Sequence, residues 1–200
     1  MNDNRKHVYL LVGQRGAGKS CYAQCLLTNQ SELSLVSRDE ILVRKFGSTD
    51  TDPYGGAQWY VHKILHRLLR FMLRTRPRTE IVLDYWTGDS KGRISLVRKL
   101  REYGATRVVA LYFVTPREVV NSWFWLKPGI AKMEEMGTHN GKNLVYFSAD
   151  APSRDYEVFH RLAREIDSDG FDEVIRIDPR TEPVLLSQSH TTVKTKEVKL

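Results

Sequence analysis

The chain has 200 residues, with 31 Lys plus Arg against 24 Asp plus Glu, for a formal charge of +7. At 41% hydrophobic and 28% charged, with 13 Gly and 7 Pro, the composition excludes a disordered, collagen-like or low-complexity chain, and the length suits one globular domain with a packed core. The apolar run Val8 to Val12 is too short for a signal-peptide core or a membrane span, and two cysteines, Cys21 and Cys25, suit a reducing compartment, so a soluble cytoplasmic protein with no membrane contact is expected.

The charge is unevenly spread. Between Tyr60 and Arg107 there are 12 Lys or Arg and 4 Asp or Glu, a local excess of +8, so the remainder sums to about −1. Such a field favours phosphate-rich partners without naming one.

In chain order, His7 to Val12 is a short β-branched, apolar strand that ends in a glycine-rich loop, and Lys19 to Thr28 follows as a helix. On that helix Cys21 and Cys25, four apart, are read as two small core residues. Leu33 to Ser37 is a second strand, Asp39 to Phe46 a short helix closed by Gly47, and residues 48–56 are dense in turn formers. A long helix runs from about Ala57 to Thr75. Its predicted core stripe is Val61, Ile64, Leu65, Leu68 and Met72, with Lys63, Arg67, Arg70 and Arg74 on another side as a solvated cationic ridge or, alternatively, a nucleic-acid contact. His62 and His66 are read as surface histidines, since no third metal ligand lies nearby in sequence.

Glu80 to Asp84 is a buried strand ending in a carboxylate, Ser90 to Tyr103 a helix stopped by Gly104, Thr106 to Val114 the next strand, and Pro116 to Trp125 a helix with proline at its start. Residues 128–143 are expected to form a mobile loop or lid. Ser153 to Ile166 is the last predicted helix, Glu173 to Asp178 the last strand, and residues 181–200 a polar tail. Five strands joined by helical crossovers predict a three-layer α/β domain over residues 1–180, a parallel five-stranded sheet with helices on both faces and a lid at about 124–150. Ligands of such a sheet bind at the carboxyl ends of its strands.

The strongest motif is Gly13-Gln14-Arg15-Gly16-Ala17-Gly18-Lys19-Ser20, which fits GxxxxGK[ST] at every fixed position, between a strand and a helix. This is a P-loop. Its backbone N–H groups, through Cys21, are expected to cradle a nucleoside triphosphate, with Lys19 reaching the β- and γ-phosphates and the Ser20 hydroxyl on a magnesium ion. The loop alone does not separate GTPases, motor ATPases and small kinases. The chain lacks an Asn-Lys-x-Asp guanine signature and a second nucleotide module, and its length suits a compact ATP-dependent kinase.

Phosphoryl transfer to a hydroxyl needs a carboxylate that orients the acceptor and takes its proton. Ser37-Arg38-Asp39-Glu40 follows the second strand, which places Asp39 at the expected cleft as the candidate base; the competing role is a helix cap. Asp84 ends the third strand, where a Walker B carboxylate would lie or a strand-end Asp caps a turn, and Tyr85 and Trp86 after it are read equally as an acceptor-stacking pair or as core.

Together the phosphate loop, Ser37-Arg38-Asp39-Glu40, Val82-Leu83-Asp84, the helix Gly92 to Leu100, Val109 to Pro116 and Gly170-Phe171-Asp172-Glu173-Val174-Ile175 resemble the P-loop kinases grouped around polynucleotide 5′-hydroxyl kinase, zeta-toxin sugar kinases and chloramphenicol phosphotransferase, over about residues 7–180. The resemblance implies ATP and magnesium as cofactors, Asp39 as catalytic aspartate beside Arg38, and Asp84 holding the metal through water. It implies a hydroxyl-bearing acceptor, with nucleotides and nucleic-acid ends among the classes. The chain departs from the family in the lid: the arginines expected seven and eleven residues after Pro116 are Trp123 and Lys127. Lys127 is then the remaining clamp cation, with Lys132, Lys142 or Arg154 as possible substitutes for the lost one. Because an arginine finger is worth about 10³ to 10⁵ in rate, a second reading is a nucleotide-binding regulatory or nucleic-acid-interacting protein with little or no transfer. Leu42 replaces a further family arginine, with Arg44 close by as the substitute on the acceptor side.

Overall fold

In the computed structural model, which describes residues 5–49, 56–85, 88–127, 129–136 and 144–181, strands and helices alternate. They are β1 Lys6–Val12, α1 Lys19–Asn29, β2 Leu33–Ser37, α2 Arg38–Phe46, α3 Gly56–Thr75, β3 Thr79–Asp84, α4 Ser90–Tyr103, β4 Arg107–Phe113, α5 Arg117–Trp125, β5 Ile130–Lys132, β6 Val145–Phe147, α6 Ala151–Leu162 and β7 Glu173–Ile177. The main sheet has the order β2-β3-β1-β4-β7, and every pairing is parallel, as the helical crossovers predicted.

Side chains that alternate along β1 build two cores, as the two-residue strand period requires. Val8, Leu10 and Val12 face α3 and α4, where they meet Leu65, Leu69, Leu96 and Leu100. Tyr9 and Leu11 face α1, where they meet Tyr22, Ala23 and Leu26. The sheet is therefore covered on both faces and reads as near-continuous apolar runs.

Four expectations are corrected. Cys21 and Cys25 are exposed rather than core, because α1 turns Tyr22, Ala23 and Leu26 to the sheet and leaves the cysteines on its flank. In α3 the buried stripe is Val61, Leu65, Leu69, Met72 and Leu73; Leu68 is exposed and Ile64 half-buried. Part of the expected lid loop is ordered: β5 and β6 pair in parallel as a separate two-stranded sheet, with a 3-10 turn over Met133–Glu135. The last helix spans Ala151–Leu162 and not 153–166, with Pro152 in its first turn. It stops where the Arg93 guanidinium takes the Leu162 carbonyl at 2.8 Å, and a 3-10 turn over Ile166–Ser168 follows.

Arg93 itself is fully buried, one of the cations counted in the basic middle that does not reach the surface. Its Nε pairs with Asp169 at 2.5 Å and its Nη1 donates to the Gly88 carbonyl at 2.7 Å, so every side of the charge is satisfied. Trp86, Lys142, residues 137–143 of the expected lid and residues 182–200 of the tail lie outside the described residues.

Candidate functional site

The sheet register assembles the site. Ser37 is the partner of Asp84, and Leu10 of Leu83, so the ends of β1, β2 and β3 meet at one edge. The phosphate loop leaves β1 there. Two of its glycines are dictated by backbone geometry: Gly16 and Gly18 have φ of 80° and 85°, a region that L side chains rarely adopt. They are also crowded. A Cβ on Gly16 would lie 2.9 Å from the Val120 carbonyl oxygen, and one on Gly18 would lie 2.9 Å from the Trp123 ring and 3.2 Å from Pro179.

Helix α1 starts at Gly18 with no side-chain cap and no acid in its first turn. By contrast α2 is capped by Ser37, whose hydroxyl accepts from the Glu40 N–H at 3.3 Å, and α4 by Asp89, which accepts from the Gly92 N–H at 2.8 Å. The first N–H groups of an α-helix have no intrahelical partner, and the macrodipole adds positive potential. In α1 those groups face the loop without a compensating carboxylate, which is the arrangement an anion completes.

Lys19 is half-buried, and its ammonium donates to the Gly13 and Gln14 carbonyls at 2.8 and 2.9 Å. Burial pushes its pKa below the usual lysine value, while the nearby Asp84 carboxylate opposes that shift and Lys127 reinforces it. Burial likewise raises the Asp84 carboxyl, with Lys19 pulling it back down and Asp39 pushing it further up. Lys19, Asp84, Asp39 and Lys127 thus share one electrostatic neighbourhood, although they come from four parts of the chain. Ser20 is exposed at the start of α1.

Asp39 is not the helix cap, because Ser37 fills that role. It is half-exposed, and Arg38 Nη1 donates to its Oδ1 at 2.8 Å while Nη2 donates to Gln58 in α3. Arg44 is not brought to this pair. It stands exposed in the last turn of α2, about 7 Å further along the axis from Asp39. Leu42, at the position where the resemblance expects an arginine, is fully buried and serves the core.

The opposite wall of the loop comes from Thr115, Phe124 and Phe147, to which the sequence assigned no role. The Thr115 hydroxyl, just past β4, donates to the Ala17 carbonyl at 2.9 Å and is buried. Arg15 lies over the rings of Phe147 and Phe124 at 4.8 and 5.6 Å from their centroids, tying the loop to α5 and β6. The side-chain amide of Gln14 is buried, and its Oε1 has no hydrogen-bond partner among the described residues. Of the suggested substitute cations, Lys132 sits 5.6 Å over the Trp125 ring, and Arg154 is held by Asp150 and Ser148 at 3.1 and 2.7 Å.

Tyr85 leaves the site edge and turns toward α3, where its hydroxyl and His62 Nδ1 are 2.9 Å apart. His66 pairs in turn with the Tyr103 hydroxyl at 3.2 Å, and the two imidazoles lie 4.2 Å apart. They are therefore not simple surface histidines. Together with Tyr85, Asp89, Ser95 and Lys99 they line a cavity of about 280 Å³ between α3 and α4. Burial lowers both imidazole pKa values, and His66, also facing His62 and Lys99, falls to about 4. Among the described residues no helix is long and apolar enough to cross a membrane.

Comparison with known proteins agrees with this architecture. A chain of the Pnkp1/Rnl/Hen1 RNA repair complex aligns with a TM-score of 0.61 at 16% identity, covering 94% of this chain; this chain spans about half of that one, 51%. A protein from Chloroflexus aurantiacus provisionally assigned as a kinase aligns with a TM-score of 0.56 at 14% identity, covering 86% of this chain and 88% of its own. A fungal RNA kinase aligns with a TM-score of 0.50 at 13% identity, covering 93% and 81%. No curated protein matches by sequence. At these identities the structural likeness speaks for the fold, while the sequence model of the AAA domain family matches residues 8–126, more than half of the chain. With its parallel sheet, phosphate loop and helical layers in the P-loop NTPase arrangement, the chain belongs to the AAA domain family.

Proposed function

We propose that the protein transfers the γ-phosphoryl group of ATP to a hydroxyl of a small molecule, nucleotide or nucleic-acid end. The observation that carries this reading is the meeting of Lys19, Asp84 and Asp39 at one sheet edge, with Ser37 relieving Asp39 of the capping role. In this reading the loop from Gly13 to Cys21 wraps the triphosphate. The Lys19 ammonium exchanges its loop carbonyls for phosphate oxygens and offsets the charge that grows on them. Asp39, steadied by Arg38, accepts the proton as the acceptor oxygen bonds to phosphorus and the bond to ADP breaks. Lys127 is the clamp cation, and Arg38 lines the acceptor side.

Among the described residues no three His, Cys, Asp or Glu side chains form a metal cage. What the loop region offers is the Ser20 hydroxyl and the Asp84 carboxylate, oxygen donors that fit a magnesium ion whose other ligands are phosphate and water. When bound, that ion would draw charge from the phosphate oxygens. The domain in this reading is residues 1–180, with a lid at about 124–150 and a polar extension beyond.

The test is incubation with γ-labelled ATP and magnesium across oligonucleotides, nucleosides, aminosugars and antibiotics, scoring labelled product. Lys19→Ala should abolish transfer, and Asp39→Asn should keep ATP binding while lowering turnover by about 10² to 10⁴. Unchanged turnover in Asp39→Asn removes the base assignment. The substitution of Trp123 and Lys127 for clamp arginines favours a second reading, a nucleotide-binding regulatory protein. ATP binding with no labelled product from any acceptor would select it.

A further inference from the structure

Helix α3 carries no Asp or Glu in its 20 residues. Trp59, Lys63, Arg67, Arg70 and Arg74 fall within an arc of about 80° on a 3.6-residue helix, and the row extends about 22 Å along the axis. All five are exposed, and Trp59 is 61% so. Among the described residues no acidic side chain pairs with any of the four cations, whereas Arg98 and Arg101 of α4 do have acidic partners. A solvated helix face ordinarily alternates charge at i, i+4. This one repels itself at each such step, and a polyanion would relieve the repulsion.

The row also points at the site. The amino end of α3 lies at the carboxyl edge of the sheet, where Gln58 meets Arg38 and His62 meets Tyr85. Its far end lies at the opposite edge, where the Thr79 hydroxyl donates to the Met72 carbonyl. Alongside runs the cavity between α3 and α4, whose wall adds the Lys99 cation, the His62 and His66 rings and the Ser95 hydroxyl. At the site end Trp59 presents an indole with the Lys63 ammonium 3.3 Å from its ring centroid, a pairing of aromatic surface and cation that suits a base and its phosphate.

We propose that this face of α3, with the groove beside α4, binds a single-stranded polynucleotide whose phosphates follow Lys63, Arg67, Arg70 and Arg74 and whose bases reach Trp59. Binding stands on charge and geometry alone; delivery of the strand's terminal hydroxyl to Asp39 rests on the transfer proposed above.

The experiment is fluorescence anisotropy of a labelled single-stranded oligonucleotide of about 12 nucleotides, without ATP, across a salt series. The logarithm of affinity should fall linearly with that of salt. The combined Arg67→Glu, Arg70→Glu and Arg74→Glu variant should bind at least about tenfold more weakly and flatten the slope by about 2. Trp59→Ala should weaken binding about tenfold with the slope kept. Should the triple reversal fail to fold, as judged by circular dichroism, the three Arg→Gln changes give the same test with a smaller loss. An unchanged slope in a folded variant overturns the proposal, as does equal or tighter binding to anionic vesicles or to a poly-glutamate peptide. Salt-dependent binding with no labelled product keeps the surface and sinks the transferase; transfer to a nucleoside with no oligonucleotide affinity does the reverse.

Discussion

Arg93 and Asp169, 76 residues apart, form an ion pair from which solvent is wholly excluded. Ser90 donates to the same carboxylate, and the arginine also holds the Gly88 and Leu162 carbonyls. Removing one member leaves an uncompensated buried charge. Asp169→Ala is therefore expected to cost about 3–5 kcal/mol, whereas replacing both residues with apolar side chains of similar volume should recover most of that. Urea unfolding of the single and double variants checks it; a single-variant loss below about 1 kcal/mol would contradict the account.

The Thr115 hydroxyl is the tether that joins the phosphate loop to the strand on its far side. Thr115→Val keeps the shape and leaves the Ala17 carbonyl without its donor, so a loss of about 1–2 kcal/mol is expected. Hydrogen exchange should rise in the loop while the β1 core stays protected.

Gly18 combines a left-handed backbone with a position where an added Cβ would run into Trp123 and Pro179. Gly18→Ala should cost about 1–2 kcal/mol in backbone strain alone and displace the indole. Calorimetric titration with ATP should show at least about tenfold weaker binding than the parent chain; equal affinity would mean that the loop does not hold the phosphates.

His66 titrates at about 4 in the folded protein against 6.5 for an unperturbed histidine. Burial is the main cause, with His62 and Lys99 adding repulsion. A base whose pKa is depressed by folding is protonated more readily in the unfolded chain, so stability is fully present above pH 6.5 and is lost as pH falls toward 4. The ring is partly open to solvent, so the loss is discounted to about 1–2 kcal/mol. His66→Asn should flatten that limb of the stability–pH curve; a limb of equal steepness would place the titration elsewhere.

The sequence made the scaffold legible where local and global signals agree. The apolar run from Val8 to Val12 and the glycine-rich turn after it fixed a strand, a loop and a helix in one motif, and Asp39 follows two residues after Ser37, which the sheet register pairs with Asp84. Elsewhere pattern was insufficient. Leu68 and Leu69 are both apolar neighbours on a helix with apolar residues on several sides, and only packing against the sheet decides that Leu69 is the buried one. Strands β5 and β6 have three residues each, too few for alternation to register. In the sequence Arg93 is only one more cation of the basic middle; arginine is rarely buried without a partner, and its partner, Asp169, lies in a distant turn that no local pattern marks. The stacking of Arg15 on Phe124 and Phe147 left no mark in sequence, since it joins elements more than a hundred residues apart.

The bridge from Asp39 through Arg38 to Gln58 has a mechanical corollary. Gln58 precedes Trp59 on the same helix, so the guanidinium that orients the carboxylate is anchored beside the outermost indole. Any load that tilts the start of α3 would swing that anchor, and the aim of the carboxylate would register what has settled on the outside of the helix.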